Sequence, residues 1–195
     1  MREKVNKVLE QAKILLKLQR YDDVHDFNHH KRVWNIAKKI VGRVDEPVNR
    51  DVLKIACMWH DVIIKNYAFK SKKHKLITTE TANYLKNYMI NLGFSLQEAQ
   101  KAYFAVKHHE FSNKPLNIEG KILFDADKLD AFTPERSVWF AKSTQGKNAL
   151  WSLKLFLLRI RLARFYVKRK FHFKYSRQLF EKSVRELNGN NEKHK

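Results

Sequence analysis

The chain has 195 residues, of which 44% are apolar, so it is long enough to bury a sizeable core as one domain. Glycine (5) and proline (3) are scarce, which disfavours a many-turned β fold, and the single cysteine, Cys57, excludes an internal disulfide framework. The formal charge of +20 would attract polyanions such as nucleotides, nucleic acids or anionic membranes. A lysine-rich solvated surface explains the charge equally well.

Helical periodicity runs along almost the whole chain. It predicts helices at about 3–19, 28–43, 49–64, 73–91, 96–110, 117–131, 134–144, 148–168 and 173–187. The polar, aperiodic segment 65–73 predicts a loop directly after the His60-Asp61 pair. We therefore predict a single all-α domain over residues 1–187, followed by a flexible polar tail over 188–195.

Several helix ends carry local signals in the sequence. Ser95 and Glu98 have the spacing of a capping box, and Thr133 before a proline predicts an N-cap. Pro47 suits the first turn of the helix that leads to His60. Gly93 stands where a left-handed residue would end a helix.

The termini lack the features of targeting or membrane segments. The first 20 residues are charged and carry apolar residues at helical spacing, not the apolar block of a signal peptide. The apolar segment 150–167 is interrupted by four cations, which argues against a spanning helix. The sequence therefore predicts a cytoplasmic protein without a membrane span.

Residues suited to metal binding or proton transfer gather in four separate pieces of sequence. They are HDFNHHKRV at 25–33, WHD at 59–61, HHE at 108–110 and DADKLD at 125–130. His60 and Asp61 end an apolar helix and place an imidazole and a carboxylate in one small volume. Both groups bind first-row metals, and both are costly to bury unpaired.

The motifs HxxRV, HD and DADKLDA, in this order, resemble those of the HD-domain superfamily of metal-dependent phosphohydrolases, and the likeness spans roughly residues 22–141. HDFNHHKRV, HHEFS and DADKLDAF are similar to segments of its small stand-alone members. The resemblance implies an all-α HD-domain helical bundle, here with extra basic C-terminal helices. It also implies one divalent metal ion, held by His29, His60, Asp61 and Asp127.

Within that resemblance, His29 is preferred to His25 and His30 because it precedes Arg32-Val33 at the family's spacing. Asp127 is preferred among the neighbouring aspartates because it stands immediately before Lys128. A ligand set of two imidazoles and two carboxylates suits Mn, Fe, Co, Ni or Zn, with Mg also allowed.

The resemblance further implies hydrolysis of a phosphate ester by metal-activated water, with Asp61, Asp127 and Glu80 as catalytic residues. Some members carry a glutamate soon after the HD doublet, whereas apolar residues follow it here. Glu80, on the next helix, is the candidate for that role. The expected substrate is an anionic small molecule, a nucleotide above all.

Four residues are expected to bind the substrate phosphate: Arg32, Lys128, His108 and His109. Three of them have an alternative role. Arg32 could be a structural counter-charge for buried carboxylates, and the histidine pair could lie at the pocket rim, support a ligand or add one.

The remaining candidates are given structural roles. His30 lies about 100° around the helix from His29, which predicts a surface position, and His172 is expected to be an ordinary surface residue. Asp125 and Asp130 are expected to cap helices or to support the ligands.

A second function comes from residues 142–195, where fifteen Lys or Arg face three acidic residues. Cations interleaved with aromatics are typical of a nucleic-acid-binding module, with or without hydrolysis. The alternative explanation is an amphipathic helix pair with the aromatic side chains in its core.

Overall fold

A computed structural model of the protein describes residues 2–18, 27–62, 74–133, 136 and 167–192. These residues contain helices and no strands, which confirms the predicted all-α class. The helices with both ends described are α1 (Arg2–Leu18), α2 (Phe27–Val41), α3 (Arg50–Trp59), α4 (His74–Asn91), α5 (Leu96–Lys107), α6 (Ile118–Asp130) and α7 (Lys174–Glu192). None of them is both long and apolar enough to cross a membrane.

The chain divides into two compact units, Met1–Phe124 and Asp125–Lys195, and the boundary falls inside α6. The sequence predicted one domain over residues 1–187, and that assignment stays a prediction. The predicted helices at 134–144 and 148–168 lie outside the described residues, apart from residue 136 and residues 167–170, which are helical. The predicted loop at 65–73 also lies outside them.

In the first unit, α3 packs against α1, α2 and α5, and α4 packs against α5. This central position explains why almost the whole of α3 is apolar: seven of its ten residues are buried. Trp59, its last residue, donates its indole N–H to the carbonyl of Val8 at 3.1 Å and stacks on Tyr84, with the ring centroids 5.9 Å apart. The end of α3, and so the start of the His60-Asp61 pair, is anchored to two other helices.

In the second unit, aromatic side chains form the core. The ring of Phe180 lies 4.8 Å from that of Phe132 and 5.5 Å from that of Phe171, centroid to centroid, and Phe171 and Phe180 are buried. Lys168 pairs with Glu181 on the outside. The described part of the basic segment therefore follows the amphipathic explanation, with aromatics inside and cations outside.

Asp125 binds the backbone that leads into α7. Its buried carboxylate accepts backbone N–H bonds from His172 at 3.0 Å and from Phe173 at 3.1 Å, the two residues before the helix begins. Asp125 therefore has a structural role at the entry to α7. His172 is not an ordinary surface residue, because its ring Nδ1 lies 3.0 Å from Asp125 Oδ1.

The local signals at helix ends are mostly confirmed. Ser95 and Glu98 form the predicted capping box, and Gly93 has a φ of 78°. Thr133 Oγ1 accepts the N–H of Arg136 at 3.4 Å. The expectation for Pro47 is wrong: α3 begins later, with Asn49 as the N-cap residue.

Two helices are shorter than predicted and one is longer. The α3 helix ends at Trp59 instead of residue 64, and α5 ends at Lys107 instead of residue 110, with His60 and His108 as their C-caps. As a result, His60 and His108 lie at the junction between a helix and the irregular backbone that follows it. The α7 helix continues to Glu192, five residues beyond its predicted end at 187.

Candidate metal centre

Helices α2 and α3 bring the first candidate ligands together. The buried stripe of α2 begins with His29 and His30, and His60 and Asp61 follow directly on α3. His29 and His60 are each 2% exposed, and the Asp61 side chain is 20% exposed. Three polar side chains therefore meet in a region that is otherwise closed to water.

The contacts among these three residues are short. The Nε2 atoms of His29 and His60 are 3.1 Å apart. Oδ2 of Asp61 lies 3.3 Å from Nε2 of His60 and 3.5 Å from Nε2 of His29. One carboxylate oxygen and two ring nitrogens therefore surround a common point.

The backbone determines which ring nitrogens carry protons. Nδ1 of His60 lies 2.9 Å from the carbonyl oxygen of Cys57, and Nδ1 of His109 lies 2.6 Å from that of Val106. Because a carbonyl oxygen only accepts hydrogen bonds, Nδ1 must carry the proton in both rings. The Nε2 edge of each ring then faces the carboxylate of Asp61.

The spacing of these atoms fits a metal ion. Two nitrogens bound at about 2.0–2.1 Å to one ion lie roughly 2.9–3.4 Å apart, for bond angles between about 90° and 109°. The Nε2 atoms of His29 and His60, 3.1 Å apart, fall within this range. The donor set and its geometry therefore fit a first-row divalent metal.

Asp127, on α6, completes the cluster that the sequence predicted. One ligand atom from each of His29, His60, Asp61 and Asp127 lies within 4.8 Å of every other. Oδ2 of Asp127 accepts a hydrogen bond from Nζ of Lys128 at 2.6 Å. Lys128, expected to bind substrate, therefore contacts the carboxylate of its own neighbour.

Asp61 is ionised in this environment. Burial would raise the pKa of its carboxyl, but the charge of His60 and hydrogen bonds from His109, His29 and His60 outweigh it. The pKa of Asp61 consequently lies well below its ordinary value. A carboxylate that stays charged at neutral pH can bind a cation without first losing a proton.

The two neighbouring histidines after α5 occupy different environments. His109 is 3% exposed and its Nε2 lies 3.3 Å from Oδ1 of Asp61, on the carboxylate oxygen that His29 and His60 do not contact. His108 is the half-buried C-cap of α5, with its ring centroid 6.3 Å from that of Phe104. Of the two, His109 belongs to the cluster.

His30 is not on the surface, contrary to the expectation from the sequence. It is fully buried, and its Nδ1 lies 3.0 Å from the carbonyl oxygen of Cys57, the same oxygen that His60 contacts. Burial, and next the charges of His60 and His29, hold the pKa of His30 well below its ordinary value, against the opposing effects of Asp61 and the Cys57 carbonyl. His30 is therefore neutral. His25, the other alternative to His29 as a ligand, lies outside the described residues.

Arg32 and Glu80 are both partly buried, on α2 and α4 respectively. Arg32 follows His29 by three residues and so lies on the neighbouring part of the same helix face. Glu80 precedes Thr81, whose hydroxyl donates to the carbonyl of Val62 at 2.6 Å. Val62 is the residue that follows Asp61 in the chain. Helix α4 is thus fastened to the segment that carries the His60-Asp61 pair.

Two polar contacts near the cluster involve residues that the sequence did not single out. The hydroxyl of Thr78 donates to Oε1 of Glu110 at 2.6 Å, and Glu110 directly follows His109 in the chain. The hydroxyl of Thr81 donates to the carbonyl of Val62, as described above. Both threonines lie on α4, three residues apart and so on one face. Their three-residue spacing on the helix is the feature of the sequence that could have identified the two threonines as neighbours on one face.

The described residues are helical, and among them two imidazoles and two carboxylates converge in a group that could hold a metal ion. The chain matches the HD domain family over residues 26–131, more than half of its length. It therefore belongs to the HD domain family.

Solved structures share the fold at low sequence identity. A predicted HD superfamily hydrolase from an uncultured Thermotogales bacterium is 22% identical, with a TM-score of 0.63, over 100% of this chain and 90% of that one. Bacillus subtilis YpgQ in complex with ADP is 21% identical, with a TM-score of 0.62, over 96% and 95%. The Lin1889 protein from Listeria innocua is 19% identical, with a TM-score of 0.59, over 95% and 92%. Among curated proteins, none matches the chain in sequence.

Proposed function

We propose that the protein is a divalent-metal-dependent phosphohydrolase that acts on a nucleotide-like phosphate ester. The observation that carries this proposal is the convergence of histidine Nε2 atoms on an ionised carboxylate. His60 and His109 both present Nε2 to Asp61, because their Nδ1 atoms are engaged by backbone carbonyls. Imidazole nitrogens and a carboxylate gathered around one point are a donor set that suits a first-row divalent metal.

The proposed ligands are His29, His60, Asp61 and Asp127. Their mixed nitrogen and oxygen donors suit Mn, Fe, Co, Ni or Zn, and Mg to a lesser degree. When bound, such an ion lowers the pKa of a nearby water molecule and polarises a phosphoryl oxygen. His109 supports the set by fixing the second oxygen of Asp61.

Asp61, Asp127 and Glu80 are the proposed catalytic residues. Asp61 remains ionised, and Lys128 orients Asp127 through a 2.6 Å hydrogen bond, so both carboxylates can accept a hydrogen bond from the attacking water. Glu80 is proposed as the group that takes the water's proton. Its support is its position beside Thr81, which ties α4 to the backbone next to Asp61.

The substrate phosphate is proposed to bind to Arg32, Lys128, His108 and His109, whose donors would stabilise charge that develops on the phosphoryl group. The formal charge of +20 supports an anionic substrate, because it raises the encounter rate with anions. YpgQ, which shares the fold, was crystallised with ADP, and this supports a nucleotide. The choice between a phosphomonoester and a phosphodiester is left to experiment.

The nucleic-acid-binding alternative has no comparable support. In residues 167–192, Phe171 and Phe180 are buried against each other, so their rings are not available to stack on bases. Lys168 and Lys182 pair with Glu181 and Glu186. Binding through the basic C-terminal helices stays a prediction from the sequence.

The deciding experiment measures metal binding and hydrolysis together. Metal-free protein is titrated calorimetrically with Mn, Ni and Zn, and each loaded form is assayed on nucleoside mono-, di- and triphosphates, cyclic nucleotides and short RNA. We expect one ion per chain and release of phosphate or pyrophosphate from at least one nucleotide. A protein that binds none of the metals and hydrolyses none of the substrates would refute the proposal.

A further inference from the structure

Cys57 stands in the last turn of α3, and its carbonyl oxygen contacts two imidazoles. Nδ1 of His60 lies 2.9 Å from the Cys57 oxygen, and Nδ1 of His30 lies 3.0 Å from it. The same carbonyl therefore holds a proposed metal ligand from its own helix and a buried histidine from α2.

His30 is an expensive residue to bury. It is 0% exposed, and its Nε2 has no hydrogen-bond partner among the described residues. An unsatisfied buried polar atom destabilises a fold, so an apolar side chain of similar size would serve packing better. The polar edge that is satisfied, Nδ1, is the one that contacts Cys57.

We propose that His30 is a positioning residue for the metal ligand His60. It shares the Cys57 carbonyl with His60 and packs its ring against the His60 ring, and so it holds the Nε2 atom of His60 toward the metal. This inference rests on the proposed metal-dependent function.

The geometry supports both parts of this role. A carbonyl oxygen has two lone pairs, so it can hold both donors at once, and the second donor restrains the direction of the first. The ring centroids of His30 and His60 are 4.7 Å apart, close enough for His30 to hinder rotation of the His60 ring. With that ring held, Nε2 of His60 stays 3.1 Å from Nε2 of His29.

Substitutions at position 30 separate positioning from packing. The amide N–H of His30→Asn can replace Nδ1, so this variant keeps the donor to Cys57. His30→Leu fills the space but removes the donor. His30→Gln places its amide one methylene farther from the backbone than asparagine does, beyond the position of Nδ1, so it does not replace the donor to Cys57. Ile40→Val is the matched control, because it trims a buried side chain elsewhere on α2.

The test measures two quantities in the full-length chain. The first is the dissociation constant for Mn or Zn, by calorimetry. The second is the protonation of the His60 ring in the metal-free protein, from long-range ¹H–¹⁵N NMR spectra. We expect His30→Leu to weaken metal binding about 10-fold or more, in the range found for partners of metal ligands, and to release His60 from its Nδ1–H form. His30→Asn and Ile40→Val should stay within about 3-fold of the wild type.

The inference is overturned if His30→Leu binds metal as the wild type does and leaves His60 in the Nδ1–H form. If His30→Leu does not fold, the comparison of His30→Asn with His30→Gln decides: equal metal affinities overturn the inference, and weaker binding by the glutamine variant supports it. A wild-type protein that binds no metal would refute the proposed function instead. The NMR spectra of the metal-free variants would still test the role of His30.

Discussion

Asp61 is held at both of its carboxylate oxygens: Oδ1 lies 3.3 Å from Nε2 of His109, and Oδ2 faces the two other histidines. The same contacts keep the pKa of Asp61 low, so the carboxylate is charged and oriented before a cation arrives. A site prepared in this way loses little entropy on binding. The first two predictions concern Asp61 itself and His109, the histidine that contacts its Oδ1 atom.

Asp61→Asn should abolish metal binding and hydrolysis. The amide has nearly the same shape but no charge, and one of its terminal atoms would present N–H groups to the cation. We expect the metal dissociation constant to rise beyond the roughly 10- to 100-fold found for outer partners, with activity falling in parallel. Calorimetry and a phosphate-release assay measure these effects. Asp51→Asn removes an exposed carboxylate from the other end of α3 and serves as the control; equal behaviour of the two variants would contradict the assignment.

His109→Asn should weaken metal binding by about 10- to 100-fold without unfolding the protein. The amide of asparagine can still donate to the carbonyl of Val106, but it has no group that reaches Asp61 as Nε2 does. The dissociation constant is measured without substrate, so that any role in phosphate binding does not contribute. His108→Asn is the matched control and should change the constant less than about 3-fold. A larger effect at His108 than at His109 would reverse the roles given to the pair.

The fold class and the pieces of sequence that carry the candidate ligands could be predicted because both leave local patterns. Helical periodicity identified the described helices, and the motif pieces each lie at or near a helix end. The position of His30 could also have been predicted: it is in phase with the buried Val33, Ala37 and Ile40 of α2. Comparison with the neighbouring His29 alone, and not with that stripe, predicts a surface position for His30.

Contacts between distant parts of the chain could not be predicted in this way. Asp125 and Asp127 are two residues apart on one helix and so point about 200° apart, but periodicity does not say what either one meets. Asp125 binds the backbone N–H of His172, 47 residues later, and Asp127 lies in the group of candidate ligands. The choice between them depended on family resemblance.

Glu98 should stabilise the fold at neutral pH and lose this effect in acid. Burial would raise its pKa, but hydrogen bonds from Ser95 and Asn49 and the charge of Lys4 bring it below the ordinary value of 4.5. The folded chain therefore favours the carboxylate, so the stabilisation is present above about pH 4.5 and lost as the pH falls through the folded-state pKa. Glu98→Gln should lower the free energy of unfolding by about 0.3–1 kcal/mol at pH 7 and by less at pH 3.

Urea denaturation at both pH values measures this difference. Glu46→Gln, which removes the same charge from an exposed position outside the helices, should show no such pH dependence. A destabilisation by Glu98→Gln that is equal at pH 7 and pH 3 would mean that the charge of the capping box contributes nothing.

Gly93→Ala should destabilise the first unit through the backbone alone. Gly93 ends α4 with a φ of 78°, and the N–H of Phe94 donates to the carbonyl of Met89 at 3.1 Å in a Schellman arrangement. An alanine Cβ would lie 2.8 Å from Nζ of Lys4, a flexible end that can move away, so the cost comes from the left-handed conformation. We expect a loss of about 1–2 kcal/mol in the free energy of unfolding.

Gly42→Ala is the matched control for this prediction. Gly42 follows α2 as Gly93 follows α4, but its φ lies outside the left-handed range, and an added Cβ would be 3.7 Å from the nearest atom, an ordinary contact. This substitution should be neutral or stabilise the protein by up to about 1 kcal/mol, because it restricts the unfolded chain. The two melting temperatures should therefore move in opposite directions or differ clearly in size. Equal losses would show that the left-handed backbone at Gly93 is not what requires glycine there.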